Sequence, residues 1–229
     1  MTAELWTRLL SIIVIDLTLA GDNALVIALA VRSLPRNRRL WARVFGTGAA
    51  VALRLLFITA ATYLLTIPLL QAVGGLLLVW IAVKLVLQES GEGHGVKDVT
   101  SMPQAIWVIL VADAVMSVDN VLAVAGAAGG ELLLVVIGIG FSLPLVVWGS
   151  GILATLMDRF AWIIWLGGGI LGYVSGDMIL SDAAVVRWLG DPLPAGLVPG
   201  VPLALATVMI VFGWWAARAR QSGTATKGI

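Results

Sequence analysis

The sequence predicts an all-α membrane protein of seven transmembrane helices, arranged as an inverted 3+3 repeat plus one extra helix. Three observations carry that prediction. The chain is 60% hydrophobic and 12% charged, with a mean hydropathy of +1.04, far from the roughly half-apolar, quarter-charged mix of soluble domains. Its apolar residues fall into runs of about the length that crosses a bilayer. A polar motif inside the first run recurs inside the fourth.

The runs lie at about 6–31, 43–65, 68–88, 104–125, 132–154, 160–182 and 201–217. The first meets Asp16 early and follows no basic start, so it reads as a retained span and not as a cleaved signal. The second follows "RSLPRNRRLWAR", the third "TIP", and the fourth "QESGEGHGVKDVTSMP". "GAAGGE" and "MDRF" bound the fifth, and "AAVVRWLGDPLPAGLVPG" separates the sixth from the seventh. Pro35, Pro68, Pro103 and Pro192 all fall where a helix should start or end. One transmembrane domain therefore covers 1–217, with repeat one at about 5–88, repeat two at about 104–182 and the seventh helix at about 201–217, followed by a cytoplasmic tail at 218–229.

Lys and Arg in short loops set orientation. Arg32, Arg36, Arg38, Arg39 and Arg43 flank the first loop, which is expected in the cytoplasm. Alternation then puts the N-terminus outside and the C-terminus inside, with ten cationic residues on the cytoplasmic side against Arg8 and Arg187 outside. The expected location is a bacterial inner (cell) membrane. Trp6, Trp41, Trp107 and Trp188 sit near span ends, as an aromatic belt requires. Trp80 and Trp148 are deeper and read as packing residues.

The repeated motif is "DLTLAGDNALVIALA" from residue 16 and "DAVMSVDNVLAVAGA" from residue 113, 97 positions later. The next spans match more faintly, "GTG" at 46–48 against "GIG" at 138–140. In the third pair, Gly74 precedes Lys84 by ten residues, as Gly167 precedes Asp177. Three helices per unit is an odd number, so the second unit must insert upside down. Inverted repeats are the recurring architecture of secondary transporters, with the substrate near the bilayer midplane. Asp22 lies ten residues before its helix end, a depth of about 15 Å.

At about 100° per residue, Asp16 shares a helix face with Asn23, and Asp113 with Asn120, while Asp22 and Asp119 point about 120° away. A break at Gly21 would bring Asp22 onto the same ion together with backbone carbonyls. An unbroken helix would leave Asp22 and Asp119 behind the inner face. Polar residues in a span can also be interhelical glue. Yet each buried charge costs roughly 3 kcal/mol on insertion scales, so the set Asp16, Asp22, Arg54, Lys84, Asp113, Asp119 and Asp177 approaches roughly 20 kcal/mol before pairing. Packing alone would not retain that. Arg54 is expected to be counter-ion to one aspartate, and Lys84 and Asp177 are candidate supporting or gating charges. A direct Lys84–Asp177 bridge is not expected, because the two belong on opposite sides of the membrane. Gly168, Gly172 and Gly176 read as a tight helix seam, and His94, with Glu89, Glu92 and Asp98, as a solvated linker.

Five carboxylates against two cations call for a cationic ligand. Carboxylate, amide and carbonyl oxygens suit Mn2+, Ca2+ or Mg2+, and the absence of Cys and of intramembrane His argues against Cu or Zn. Export of a divalent cation against an inside-negative potential costs about 4.6 kcal/mol per 100 mV. No GxxxxGK loop is present to use ATP. Proton antiport is the economical expectation, since a carboxylate that releases metal can take protons. No enzyme activity and no resident cofactor are expected. The expected partners are a divalent metal ion, protons, the lipid bilayer and, for a homodimer, a second copy. The formal charge of +1 makes no case for nucleic acid.

The paired "DLTLAGDN" and "DAVMSVDN" motifs, the three-plus-three arrangement and the length resemble the TerC family, bacterial membrane proteins placed in the LysE-type exporter superfamily. The resemblance runs from about residue 5 to 217. It implies manganese export and a link to tellurium resistance, and that Asp16, Asp22, Asn23, Asp113, Asp119 and Asn120 line the ion site. Tellurite, an anion, has no reason to enter so negative a site. Some members carry a histidine-rich loop after the third helix, where this chain has His94 alone. Two other readings compete: export of amino acids or another zwitterion, with Arg54 meeting a substrate carboxylate, and a non-transporting metal sensor or assembly factor.

Overall fold

A computed structural model of the chain describes residues 2–60, 67–87, 101–128, 131–190, 194 and 196–225, with the side chains at 2–4, 17–20, 118–123, 125–128, 132 and 219–225 outside that description. The elements are α1 (Thr2–Arg32), α2 (Arg36–Thr59), α3 (Leu70–Leu87), α4 (Met102–Ala128), α5 (Leu132–Arg159), α6 (Trp162–Ser181), α7 (Ala183–Leu189) and α8 (Leu197–Ala225). Among the described residues all regular structure is helical. Five helices, α2, α3, α5, α6 and α8, are long and apolar enough to cross a membrane. A sixth span follows if the two halves of α1, Leu5–Asp16 and Gly21–Arg32, which meet at 44°, count as one. In α4 the stretch Met102–Ser117 is a shorter apolar helix.

The helices overrun the apolar runs at several ends, and α2 does so most clearly. It starts at Arg36, directly after Pro35 in extended conformation, so the arginine-rich segment is its first two turns. Apolar length measures the part of a helix that lipid covers. The helix itself continues for as long as its residues favour it. For the same reason α8 runs on to Ala225, and 218–225, expected as a tail, is helical.

The segment between α6 and α8, expected as a plain break, contains α7. Asp182 caps it: Oδ1 accepts hydrogen bonds from the amides of Ala184 (2.8 Å) and Val185 (3.4 Å). Oδ2 also accepts from the Ala72 amide in the first turn of α3 (3.3 Å). One buried carboxylate thus ties two helix N-termini together.

Packing follows a crossed pattern. α1 lies against α5 and α4, α2 against α4 and α5, α3 against α6, and α8 against α6, whereas the chain neighbours α1 and α2 touch little. Lipid is as apolar as a leucine side chain, so close backbone approach has to supply the stabilisation. The glycine seam does this. A Cβ on Gly172 would stand 2.8 Å from the Leu205 carbonyl oxygen, and one on Gly176 2.7 Å from Pro202 Cα, so α6 and α8 meet nearly backbone to backbone.

Two further close approaches are related by the sequence repeat. A Cβ on Gly46 would meet Ile109 Cδ1 at 2.7 Å, joining α2 to α4. One on Gly138 would meet Ile12 Cγ2 at 2.5 Å, joining α5 to α1. Gly46 and Gly138 open the "GTG" and "GIG" triplets, and Ile12 and Ile109 precede Asp16 and Asp113 by one helical turn.

Trp80 and Trp148, read as packing residues, are 58% and 70% exposed on the outer surface, with Trp6, Trp41, Trp107 and Trp188 also outward. In a bilayer that surface is apolar too, so hydrophobicity does not separate lipid-facing residues from core residues.

Candidate functional site

One helical turn beyond Ile12, α1 buries Asp16, and two turns later on the same face it buries Asn23. Asp22, between those turns, is half-buried, and its Oδ1 accepts the Asn23 amide hydrogen bond at 2.8 Å. α1 is helical from Thr2 to Arg32, and its two halves meet at 44° between Asp16 and Gly21, just before Asp22. On α4, Asp113 is buried one turn after Ile109, and Ser117 one turn later again.

Arg54 of α2 stands between the two aspartates. Its Nη1 donates to Asp16 Oδ1 at 2.6 Å and its Nη2 to Asp113 Oδ1 at 2.5 Å. Nε donates to the Ser117 hydroxyl at 3.1 Å, which in turn donates to Asp113 Oδ2 at 3.1 Å. The Ser142 hydroxyl of α5 bonds Asp16 Oδ2 and has the Ile139 carbonyl oxygen at 2.9 Å as its other acceptor. Arg54 was expected to neutralise one aspartate; it bridges two, because a planar guanidinium offers separate N–H edges to separate carboxylates. All four carboxylate oxygens are engaged, which is what burial of charge in low dielectric demands.

Beside this cluster lies a cavity of about 20 Å³, room for roughly one water. Thr47, Ala50, Val51 and Arg54 line it from α2, and Ser142, Leu143 and Val146 from α5, with Asp16, Asn23, Ile27 and Asp113 completing the wall. When "GTG" is laid on "GIG", positions 50, 51 and 54 fall on 142, 143 and 146, so matching faces of the two copies line one cavity. Thr47 Oγ1 is buried and has no hydrogen-bond partner among the described residues. Among the described residues no three His, Asp or Glu side chains gather as a ready-made metal cluster. The arginine occupies the position between the carboxylates.

Residues 1–221 match the model of the integral membrane protein TerC family. The chain belongs to the TerC family. Against the membrane protein YjbE of Bacillus subtilis, described as uncharacterized, this TerC-family chain is 45% identical over 174 residues, 76% of its own length and 79% of the relative's. With the UPF0053 protein YegH of Escherichia coli it is 28% identical over 213 residues, 84% of this chain but 39% of YegH. With the UPF0053 inner membrane protein YgdQ of Escherichia coli it is 30% identical over 138 residues, 53% of this chain and 58% of YgdQ. No solved structure matches. The chain is an integral, multi-pass membrane protein.

Of the expected site residues, the TerC fold brings Asp16, Asn23, Arg54 and Asp113 to one cavity. The side chains of Asp119 and Asn120 lie outside the described residues, as do Glu89, Glu92, His94 and Asp98. Lys84 and Asp177 do not reach the cavity. The Lys84 ammonium lies 5.2 Å from the Trp80 ring centroid, and Asp177 is exposed. Both sit near the ends of their helices. Thr47, Ser117 and Ser142 were not singled out from the sequence. Ser117 was within reach of such reasoning, four residues after Asp113 on the same helix face. Ser142 was not, because its partner is on another helix.

Proposed function

We propose that the chain is a secondary transporter that exports a divalent metal cation, Mn2+ foremost and Ca2+ or Mg2+ as alternatives, in exchange for protons. The ion passes through a site of Asp and Asn oxygens at the interface of two inverted three-helix repeats. One observation carries this reading. Asp16 and Asp113, the same residue of the two motif copies, are buried on either side of a single cation, the Arg54 guanidinium, at a cavity sized for an ion.

The charge balance supports it. Lys84 and Asp177 leave the site together, and the four motif carboxylates against Arg54 still carry three negative charges. One divalent ion and one proton would neutralise them. An incoming cation takes carboxylate oxygen from Arg54, with Asn23 and Thr47 as neighbouring hard oxygen donors. Protonation of the carboxylates from the other side of the membrane then weakens the hold on the metal, and once those protons leave on the first side Arg54 closes on Asp16 and Asp113 again. A volume of about 20 Å³ suits an ion or a water and weighs against a zwitterionic amino acid.

The paired contacts Gly46–Ile109 and Gly138–Ile12 support the inverted repeat, with α8 as the seventh span outside it. α1 and α4, each interrupted in apolar length by its acids, complete seven spans. The basic first loop supports an external N-terminus and a cytoplasmic C-terminus, and the similarity to YgdQ supports a bacterial inner membrane.

The deciding experiment is uptake into inverted membrane vesicles under an imposed proton gradient. Manganese uptake that depends on the gradient and vanishes in Asp16→Asn and Asp113→Asn is expected. Uptake of leucine or lysine without manganese, or no transport alongside an unchanged metal content, overturns the proposal in favour of the zwitterion exporter or the sensor.

A further inference from the structure

At the end of the bundle that carries the α1–α2 connection, away from the ion site, there is a second cavity of about 580 Å³, within the range of ligand pockets. Arg36, Arg39 and Arg43, spaced three and four apart, line it from one face of α2, and Asp158 and Arg159 from the end of α5. Asp158 is the single carboxylate in the lining, and it is already taken, by Arg39 at 2.5 Å with Arg32 at 3.7 Å. Arg36, Arg43 and Arg159 have no carboxylate partner among the described residues.

A bias of positive charge toward one side of a membrane orients a protein with its arginines scattered in water. Here they converge from two helices, and the backbone makes room for one of them. Arg43 Nη1 lies flat on α5, donating to the Val147 carbonyl at 3.2 Å. A Cβ on Gly151 would stand 1.6 Å from that nitrogen, so glycine at 151 is the condition for the guanidinium to enter. Next to this face of α2 Leu40 is exposed, as is Ile152 beside Gly151 on α5, while the stacked Trp41 and Phe45 rings lie on the far side of α2. An anionic head above an apolar wall is the shape of an anionic phospholipid.

We propose that this pocket binds the phosphate headgroup of an anionic phospholipid, with Arg36, Arg43 and Arg159 on the phosphate oxygens and the acyl chains along the apolar flank. Guanidinium forks match phosphate geometry, and basic pockets between transmembrane helices at the cytoplasmic face are suited to such headgroups.

The test is native mass spectrometry of the full-length protein extracted from vesicles of phosphatidylcholine with an equal share of phosphatidylglycerol. Preferential retention of phosphatidylglycerol is expected, reduced about tenfold or more by Arg36→Gln with Arg159→Gln, two surface cations removed. Gly151→Ala, which leaves every charge in place and displaces only Arg43, should reduce it as well. Arg38→Gln, the loss of one cation on an exposed residue outside the pocket, should leave it unchanged. Equal retention of both lipids overturns the proposal, as does a loss in Arg38→Gln equal to that in the double variant. Inorganic phosphate that binds as tightly as the lipid overturns the lipid source and assigns the pocket to a soluble anion.

Discussion

Arg54 Nη1 stands 2.6 Å from Asp16 Oδ1, while the other guanidinium nitrogen reaches Asp113, so one cation on α2 joins the acids that open both copies of the motif. With all three groups buried, neither carboxylate can lose Arg54 without something else taking its charge.

Arg54→Met should destabilise the protein by about 3–5 kcal/mol, the usual cost of leaving buried partners uncompensated. Denaturant titration in detergent, followed by tryptophan fluorescence, measures it. Arg54→Lys should recover only part of the loss, because an ammonium is a point charge that does not span Asp16, Asp113 and Ser117 as the planar guanidinium does. Complete recovery would contradict the bridging role.

Bound manganese should fall sharply in Asp16→Asn and to a similar degree in Asp113→Asn, the same position of the two motif copies. Asp22→Ala tests whether the acid outside the inner face is needed as well. Metal analysis of purified protein equilibrated with Mn, Ca, Mg and Zn provides the readout, and a loss confined to one of the two motif copies would argue against a shared site.

The two repeat-related glycine contacts should behave alike. Gly46→Ala and Gly138→Ala each drive a Cβ into an isoleucine, and overpacking of this kind costs about 1–3 kcal/mol. Ile109→Ala should rescue the first and Ile12→Ala the second. Rescue by the wrong isoleucine, or none, would break the correspondence.

Asp182 makes the fold sensitive to acid. Burial pushes its carboxyl up, but the amides of Ala184, Ala72, Val185 and Gln71 outweigh this and hold it below its ordinary value of 3.8. Because the folded value is the lower one, this stabilisation is present above the unfolded value and is lost as pH falls through the folded one. Wild-type stability should therefore decline in that acidic window more steeply than that of Asp182→Ala. At neutral pH the variant should be less stable by about 1–2 kcal/mol, the usual cost of losing an N-cap. Thermal unfolding across a pH series checks both.

The sequence by itself determined the membrane solvent, the helical class, the doubled Asp-Asn motif and the membership of Asp16, Asn23, Arg54 and Asp113 in one constellation. Those features follow from composition, from the 3.6-residue period and from the expense of charge in an apolar run, all of which are local along the chain. The crossing of α1 with α5 and of α2 with α4 decided the rest: that Arg54 serves two aspartates, that Ser117 and Ser142 complete their hydrogen bonds, and that Lys84 and Asp177 stay away. It also decided which tryptophans face outward and that Asp182 caps α7 while holding α3. Which residue meets which across helices depends on where small residues let backbones approach. Gly46 and Gly138 do so here, and their partners Ile109 and Ile12 lie 63 and 126 positions away, beyond the reach of any local pattern.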